Sequence, residues 1–373
     1  MTHPYARALS RCVGDVDDFA ATRWGNGSSV HCGTEPFDDL FDLDAFDRLV
    51  GASLPTSVVD VITSGELVDE CSLVVEERDR GTAVRGAIDP AKVTAAYRGG
   101  ATVALRSLPH LWPPLRDFTA ELERSTGLRN YAQAFLTPPG GRGLRPHIDH
   151  HDVFVMQVSG NREWWAEDIG HVTLHPGEVL YMPIGTRHRA RSVDTPSIHI
   201  SIAILANTYR ELVMRLLESG TAWLDEPLPL PINAEPNDVA RRLGEHIDRA
   251  CQHLRSIDLD QAARLQLERL VRPLPAGTGA LKSAVLSATI DDDSLVSPAT
   301  LNQMRVHPGY GGQVVLRTPD SLISLPEEYE PALHRIASGG PFRVGSLAEL
   351  EAPSREALVR RLIEHGFLEM STA

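Results

Sequence analysis

Lysine is nearly missing from this chain. Only Lys92 and Lys282 stand among its 36 basic residues, and 50 acidic residues take the formal net charge to −14. So acidic a balance argues against nonspecific binding to a nucleic-acid backbone, whose affinity comes from clustered cations. It suits a basic peptide or protein partner, and it equally suits plain solubility. Cysteine is scarce too: Cys12, Cys32, Cys71 and Cys251 are scattered with no Cys-x-x-Cys, and read as reduced thiols rather than a disulfide framework. No run of about 18 apolar residues exists, which excludes a helical membrane span. Met1-Thr-His-Pro-Tyr lacks the apolar core of a signal peptide. These absences together lead to an expected cytoplasmic location. What is present is 373 residues, 42% of them hydrophobic, enough for normal cores in about two to three domains.

Two short stretches carry chemistry. Arg145-Pro-His-Ile-Asp-His-His-Asp-Val-Phe holds His147 and Asp149, and Met182-Pro-Ile-Gly-Thr-Arg-His188 adds a second imidazole 41 residues after the first. Two imidazoles and one carboxylate on one face of a metal leave three coordination positions open. Non-haem Fe(II) oxygenases need that room for a co-substrate and O2 together. On a strand, residues i and i+2 such as His147 and Asp149 share a face. A His-x-Asp pair alone occurs by chance in many proteins, and a lone strand-end His is commonly a satisfied polar residue. The distal His188, after a Gly-Glu-Val-Leu-Tyr-Met-Pro turn, gives the pair its weight.

The flanking segments alternate. Val153, Val155 and Gln157 point one way and Phe154, Met156 and Val158 the other. Ser159-Gly160-Asn161 is a turn signal, with Arg162-Glu-Trp-Trp-Ala166 as the returning strand. Further strands are expected at 171–174, 178–182, 186–193 and 197–205, separated by His175-Pro-Gly177 and Pro183-Ile-Gly185. Short strands at this spacing suggest a β-sandwich or barrel. In a barrel, His188 can lie on a strand adjacent to the one bearing His147.

The stretch from Phe135 to Gly160 and the block Leu174-His-Pro-Gly-Glu-Val-Leu-Tyr-Met-Pro-Ile-Gly-Thr-Arg-His188 resemble the JmjC-type 2-oxoglutarate oxygenases, and within them the ribosomal-oxygenase branch of protein hydroxylases. The shared marks are Thr-Pro-Pro-Gly, His-x-Asp, Phe-x-x-Gln-x-x-Gly and Pro-x-Gly-x-x-His, in order between about Phe19 and Leu205. The resemblance implies an α+β chain with a double-stranded β-helix (jelly-roll or cupin) JmjC core and flanking helices. A helical dimerisation segment and a C-terminal winged-helix-like domain are implied as well. It implies Fe(II) on His147, Asp149 and His188, with 2-oxoglutarate and O2 as co-substrates. Arg162, 15 residues after the first His, matches the basic position for the distal carboxylate of 2-oxoglutarate. A guanidinium can clamp a carboxylate bidentately. Ser201 is similar to hydroxyl positions that seat the co-substrate, and His199 shares its face. Gln133 and Phe135 depart from an Asn-x-Tyr-x-Thr-Pro pattern, while Thr137 keeps it; Gln133 and Thr137 remain candidate co-substrate contacts.

The other site-flanking residues are given plainer roles. His150, His151 and Asp152 are expected around the site or at its rim rather than as ligands. His171 and His175 are expected in loops. Trp164 and Trp165 are expected to pack in the barrel, an aromatic wall facing substrate being the alternative.

Residues 1–130 read as a helical and mixed region, with helices at 41–51 and 113–126. Residues 131–207 read as the core, inside a catalytic domain of about 19–207. Helices at 209–218, 238–256 and 259–270 make 208–299 a helical, dimerising region after a Pro-rich hinge at 227–236. Its stripe Val239, Leu243, Ile247, Cys251 and Leu254 is suited to a homodimer. From 300 to 373, strands at 313–317, 321–325 and 366–370 with helices at 327–337 and 354–365 resemble a winged helix. Arg355, Arg360 and Arg361 are balanced there by Glu349, Glu351, Glu356 and Glu364. That balance favours a structural or protein-contact role over DNA readout.

Three functions follow. The first is hydroxylation of a protein or peptide side chain, a ribosomal protein being one candidate, with succinate and CO2 released. The second is the same chemistry on a small molecule, such as an amino acid or a peptide natural product. The third is a non-catalytic, metal-binding cupin regulator, against which the triad and Arg162 count. A wide acidic groove beside the metal is expected for the first and a small closed pocket for the second.

Overall fold

The computed structural model describes residues 7–75, 86–205, 208–218, 221–227, 235–260, 262–263, 283, 285–299, 304, 306–308, 312–317 and 322–370. The chain opens with α1 (Arg7–Val13), α2 (Val16–Thr22), β1 (Ser29–Cys32), α3 (Leu43–Gly51), β2 (Val59–Thr63) and β3 (Glu66–Leu67). Next come α4 (Pro90–Arg98), β4 (Thr102–Leu105), α5 (Leu108–Leu111), α6 (Pro113–Thr126) and β5 (Asn130–Thr137). The central strands are β6 (His147–Ile148), β7 (Asp152–Ser159), β8 (Arg162–Ala166), β9 (Gly170–Leu174), β10 (Glu178–Met182), β11 (Arg187–Ser192) and β12 (Ser197–Ile204). They are followed by α7 (Tyr209–Glu218) and α8 (Pro236–Ser256).

Two antiparallel sheets face each other, as a jelly roll requires. One has eight strands in the order β1-β10-β7-β12-β5-β4-β2-β3, the other four in the order β6-β11-β8-β9. Strand alternation gives the large sheet two covered faces. Phe154, Met156, Val179, Tyr181 and Ile198, Ile200, Ile202 and Ile204 pack outward under the helices. Their alternates Val153, Val155, Leu180 and Met182 pack inward against Trp164, Ala166 and Leu174 of the small sheet. The helices are positioned by the same economy of faces. Leu115, Phe118 and Leu122, at helical spacing on α6, are buried in the outer core. Pro113 begins α6, and Gly127 ends it in the left-handed region at φ 69°. The helix expected from 41 starts at Leu43 because the Asp42 side chain caps it, accepting from Ala45 N–H.

The C-terminal elements build a second core. β13 (Leu295–Pro298) pairs with both β17 (Phe342–Arg343) and β18 (Leu368–Met370), and β14 (Val306–Pro308), β15 (Gln313–Arg317) and β16 (Leu322–Pro326) form a separate sheet. With α9 (Glu330–Ala337) and α10 (Ala352–Glu364) they enclose Val296, Leu316, Leu333, Leu358 and Phe367. This unit reaches back before the boundary expected at 300, since Ile290 and Val296 belong to its core. The helix expected at 259–270 lies mostly outside the described residues. Among the described residues, no helix is long and apolar enough to cross a membrane.

Candidate metal centre and its pocket

His147 and His188 face each other directly across the β6–β11 ladder. Asp149 follows just beyond the two-residue strand β6. His147 Nε2 lies 3.6 Å from one Asp149 carboxylate oxygen, and His188 Nε2 lies 3.6 Å from the other. The two rings are 4.3 Å apart. Among the described residues this is the one trio of metal-ligating side chains whose donor atoms converge, all lying within 4.8 Å of one another.

Backbone carbonyls aim both rings. His147 Nδ1 sits 2.9 Å from the Arg145 carbonyl and His188 Nδ1 sits 3.0 Å from the Thr186 carbonyl. A carbonyl only accepts, so each Nδ1 carries the hydrogen and each Nε2 keeps its lone pair toward the shared point. Burial pulls the His188 pKa down, which keeps that lone pair free. The loop leading to His188 is tied back to β7 by Asp152, whose carboxylate accepts from Tyr181 Oη (2.8 Å) and from the Ile184 N–H (2.7 Å). Asp152 is therefore a buried brace, not a rim group.

Inward of the triad lies a pocket of about 170 Å3. β5 and β12 are paired with Gln133 opposite Ser201 and Phe135 opposite His199, and all four line it. His199 stacks on Phe135 with ring centres 4.8 Å apart. Arg162 and Trp164 close the far side from β8. Arg162 is fully buried, and its Nη1 donates to Thr137 Oγ1 at 2.6 Å. Thr137 thus steadies the guanidinium and is not itself in the pocket lining. A side chain at Gly143 would stand 2.9 Å from Arg162 Nη2, so the glycine leaves room for the guanidinium.

The pocket carries unmet demand. Arg162 has no carboxylate partner among the described residues, and burial lowers its pKa to about 9, still a cation at neutral pH. Arg162 Nε, Trp164 Nε1 and His199 Nδ1 are buried with no hydrogen-bond partner. Native proteins rarely leave such groups unpaired, and a buried lone cation is costlier still. A small dianion would meet the cation and the donors together. The residues present therefore fit a divalent metal with a dicarboxylate beside it.

The other expectations fare unevenly. His151 turns away from the triad, with its Nε2 2.7 Å from Tyr131 Oη at the pocket mouth. His171 is on β9, paired with Trp165, as the strand expected at 171–174 has it and not in a loop. His175 sits in the turn after it, with Nδ1 3.0 Å from Asn161 Oδ1. Trp164 and Trp165 do not share a role: adjacent strand residues point to opposite faces, so Trp164 walls the pocket and Trp165 faces outward. The residue passed over was Tyr131 at the mouth, while Trp164 takes the aromatic-wall place given above as the alternative. The i, i+2 relation of Trp164 to Arg162 was the signal for that wall. The groove beside the triad is wide, at about 490 Å3, but its lining carries four arginines against one acid, Glu163.

Comparison with known proteins follows this geometry. Residues 114–171 and 165–212 match the JmjC domain family. A bifunctional lysine-specific demethylase and histidyl-hydroxylase NO66 from Branchiostoma floridae is 32% identical over 213 residues, covering 54% of this chain and 33% of that one. Its namesake from Dictyostelium discoideum is 27% identical, over 68% of this chain and 53% of its own length. Ribosomal oxygenase 1 of Rattus norvegicus is 27% identical, over 41% of this chain and 28% of that one. The chain thus spans a third to about half the length of the first two of these curated relatives. Among solved structures, the Escherichia coli ribosomal oxygenase YcfD, in complex with cobalt and succinic acid, superposes with a TM-score of 0.55 at 18% identity. The match covers 97% of this chain and 99% of that one. A complex of the same protein with cobalt and 2-oxoglutarate gives a TM-score of 0.54 at 18% identity, covering 97% and 99% of the two chains.

Proposed function

We propose that this chain, whose residues 114–171 and 165–212 match the JmjC domain family, is an Fe(II)- and 2-oxoglutarate-dependent dioxygenase that hydroxylates a C–H bond of a protein or peptide side chain. The observation that carries the proposal is Arg162, a buried guanidinium beside the triad with no carboxylate of its own among the described residues. A non-catalytic metal-binding regulator has no use for that cation.

Iron(II), 2-oxoglutarate and O2 supply the oxidising power, one oxygen atom entering the C–H bond and the other ending in succinate as CO2 leaves. The chain's own residues do the holding. His147 and His188 offer Nε2 and Asp149 offers its carboxylate. Arg162, steadied by Thr137, receives the distal carboxylate, and Ser201, Gln133 and His199 line the space between. Trp164, Val153 and Val155 keep water from the reacting centre. The open groove beside the pocket supports a macromolecular substrate, and the relatives' names point the same way. The inner pocket, at about 170 Å3, gives the small-molecule alternative its one support.

The α8 stripe supports a homodimer: Val239, Leu243, Ile247 and Cys251 are exposed along one face of that helix. The C-terminal unit would serve as a winged-helix-like, protein-contact module, and a cytoplasmic setting goes with this reading.

The test is succinate formation by purified protein given Fe(II), ascorbate and 2-oxoglutarate. Iron-dependent succinate, lost in Asp149→Ala and raised by a fraction of small cytosolic proteins, is expected. A rise only with a protein-free filtrate would favour the small-molecule alternative. No succinate from any mixture, despite tight metal binding, would overturn the oxygenase.

A further inference from the structure

The groove beside the metal pocket is charged against the grain of the molecule. Its floor is the outward face of the small sheet, with Trp165 and Glu163 from β8 and Arg189 and Arg191 from β11. Arg142 and Arg145, on the loop before β6, help to line it as well. Alternation explains the floor. β11 reads Arg187-His-Arg-Ala-Arg-Ser192, so turning His188 inward turns its arginines outward.

Some of these cations are already engaged. Arg191 pairs with Glu163 at 2.6 Å and Arg145 with Glu66 at 2.8 Å, both at the surface where such pairs are weak. Arg142 and Arg189 have no carboxylate partner among the described residues, and Arg189 lies over Trp165 at 5.5 Å from the ring centre. The lining therefore holds four arginines against one glutamate, in a chain of net charge −14. Gly143, Leu144, Trp164, Arg189 and Ala190 line both the groove and the metal pocket, so the two adjoin.

We propose that this groove docks a short acidic segment of the substrate protein and so brings a neighbouring side chain to the metal pocket. Guanidinium groups recognise carboxylates through paired, charge-assisted hydrogen bonds. The groove's limited extent sets the length of the ligand. A long polyanion such as RNA would run off the arginines onto an acidic molecule, and repulsion acts over about 10 Å at ordinary salt. A short run of carboxylates meets the arginines alone. Arg189 already covers one face of Trp165, which leaves less of that ring for a base to stack on. The position beside the metal gains its meaning from the oxygenase reading; the binding itself does not depend on it.

The test uses the full chain with Mn(II) and 2-oxoglutarate and three fluorescein-labelled peptides of equal length: a glutamate run, a lysine run and a Gly-Ser control. Fluorescence anisotropy should show salt-sensitive binding of the glutamate peptide only. The double variant Arg142→Glu/Arg145→Glu should bind it about tenfold more weakly or worse. If that variant does not fold, Arg142→Gln reads the same loss in smaller measure. The docking proposal is overturned by glutamate-peptide binding no tighter than the Gly-Ser control. Equal binding by a folded variant overturns it too, as does tighter binding of single-stranded oligo-uridylate of the same length. Mn(II) and 2-oxoglutarate affinities of the unaltered protein are measured alongside. Their absence counts against the oxygenase alone, and peptide failure with both intact counts against the groove alone.

Discussion

Arg162 spends one hydrogen bond on Thr137, although a guanidinium has five donors to satisfy. Without its anion it costs the fold stability; with it, the cost turns into affinity. Arg162→Met keeps most of the volume and removes the charge. Its apo protein is expected to be as stable as the parent or more so, by about 1 kcal/mol or more. The stabilisation that 2-oxoglutarate gives the parent, about 2.7 kcal/mol at a hundred times Kd, should vanish. Thermal melts with Mn(II), with and without 2-oxoglutarate, measure both effects. His199 adds a pH signature. Burial, then the Arg162 charge, hold its pKa well below 6.5, so it stays neutral in the fold and takes up a proton on unfolding. The unfolded state therefore binds more protons below pH 6.5, and stability is lost as pH falls from there. The loss approaches about 1.4 kcal/mol per pH unit for one group. Above pH 6.5 the residue contributes nothing to the slope. Urea melts from neutral to mildly acid pH should show a shallower loss in His199→Gln. The triad could be read from its residue types and strand spacing, whereas Arg162 was marked only by the family resemblance, through its position after the first His. Trp164 was harder, since one tryptophan packs inward and its neighbour outward, and only the phase of the strand tells them apart.

At the scale of elements, the β7–β8 hairpin sets the site, because it ties Gln157, whose Nε2 donates to the Ser159 and Gly160 carbonyls (2.9 and 3.0 Å), to Arg162 just beyond the turn. Gly160 turns it at φ +64°, and a Cβ there would stand 2.0 Å from the Pro196 carbonyl oxygen. Gly160→Ala is expected to cost about 1–3 kcal/mol in backbone strain before the clash is counted, lowering the urea midpoint. It should also weaken 2-oxoglutarate binding, because Arg162 shifts with the turn; calorimetric titration reads that. Alternation with Gly and Pro breaks made β7, β8, β10 and β12 readable to within a residue or so. What the pattern could not give is adjacency across the chain. The arginine groove draws on residues near 64, 145, 164, 171 and 190, and distant segments of mixed charge carry no joint signal. His171 reads both as the start of the strand at 171–174 and as a loop residue, because β9 is an edge strand with an alternating, half-exposed pattern.

For the whole molecule, the apolar stripe of α8 stands open to solvent at Val239, Leu243 and Ile247. Ile247→Glu places a charge in the middle of it; if the proposed homodimer forms there, light scattering should read the parent at twice the mass of the variant, with melting behaviour otherwise kept. An unchanged mass would remove the dimer from the account. Exposure within the site also falls steadily with depth. The side chains of His147 and Asp149 are 36% and 28% exposed and that of His188 is 6%, while Arg162 as a residue is 2%. The guanidinium therefore lies at the inner end of a pocket that the triad precedes. On the proposed oxygenase reading, a dicarboxylate would have to enter before a bulky target seats over the triad, and succinate could leave only after the target has gone. Such a site would take its visitors in a compulsory queue, and succinate added from outside would then act as a brake on the turnover proposed here.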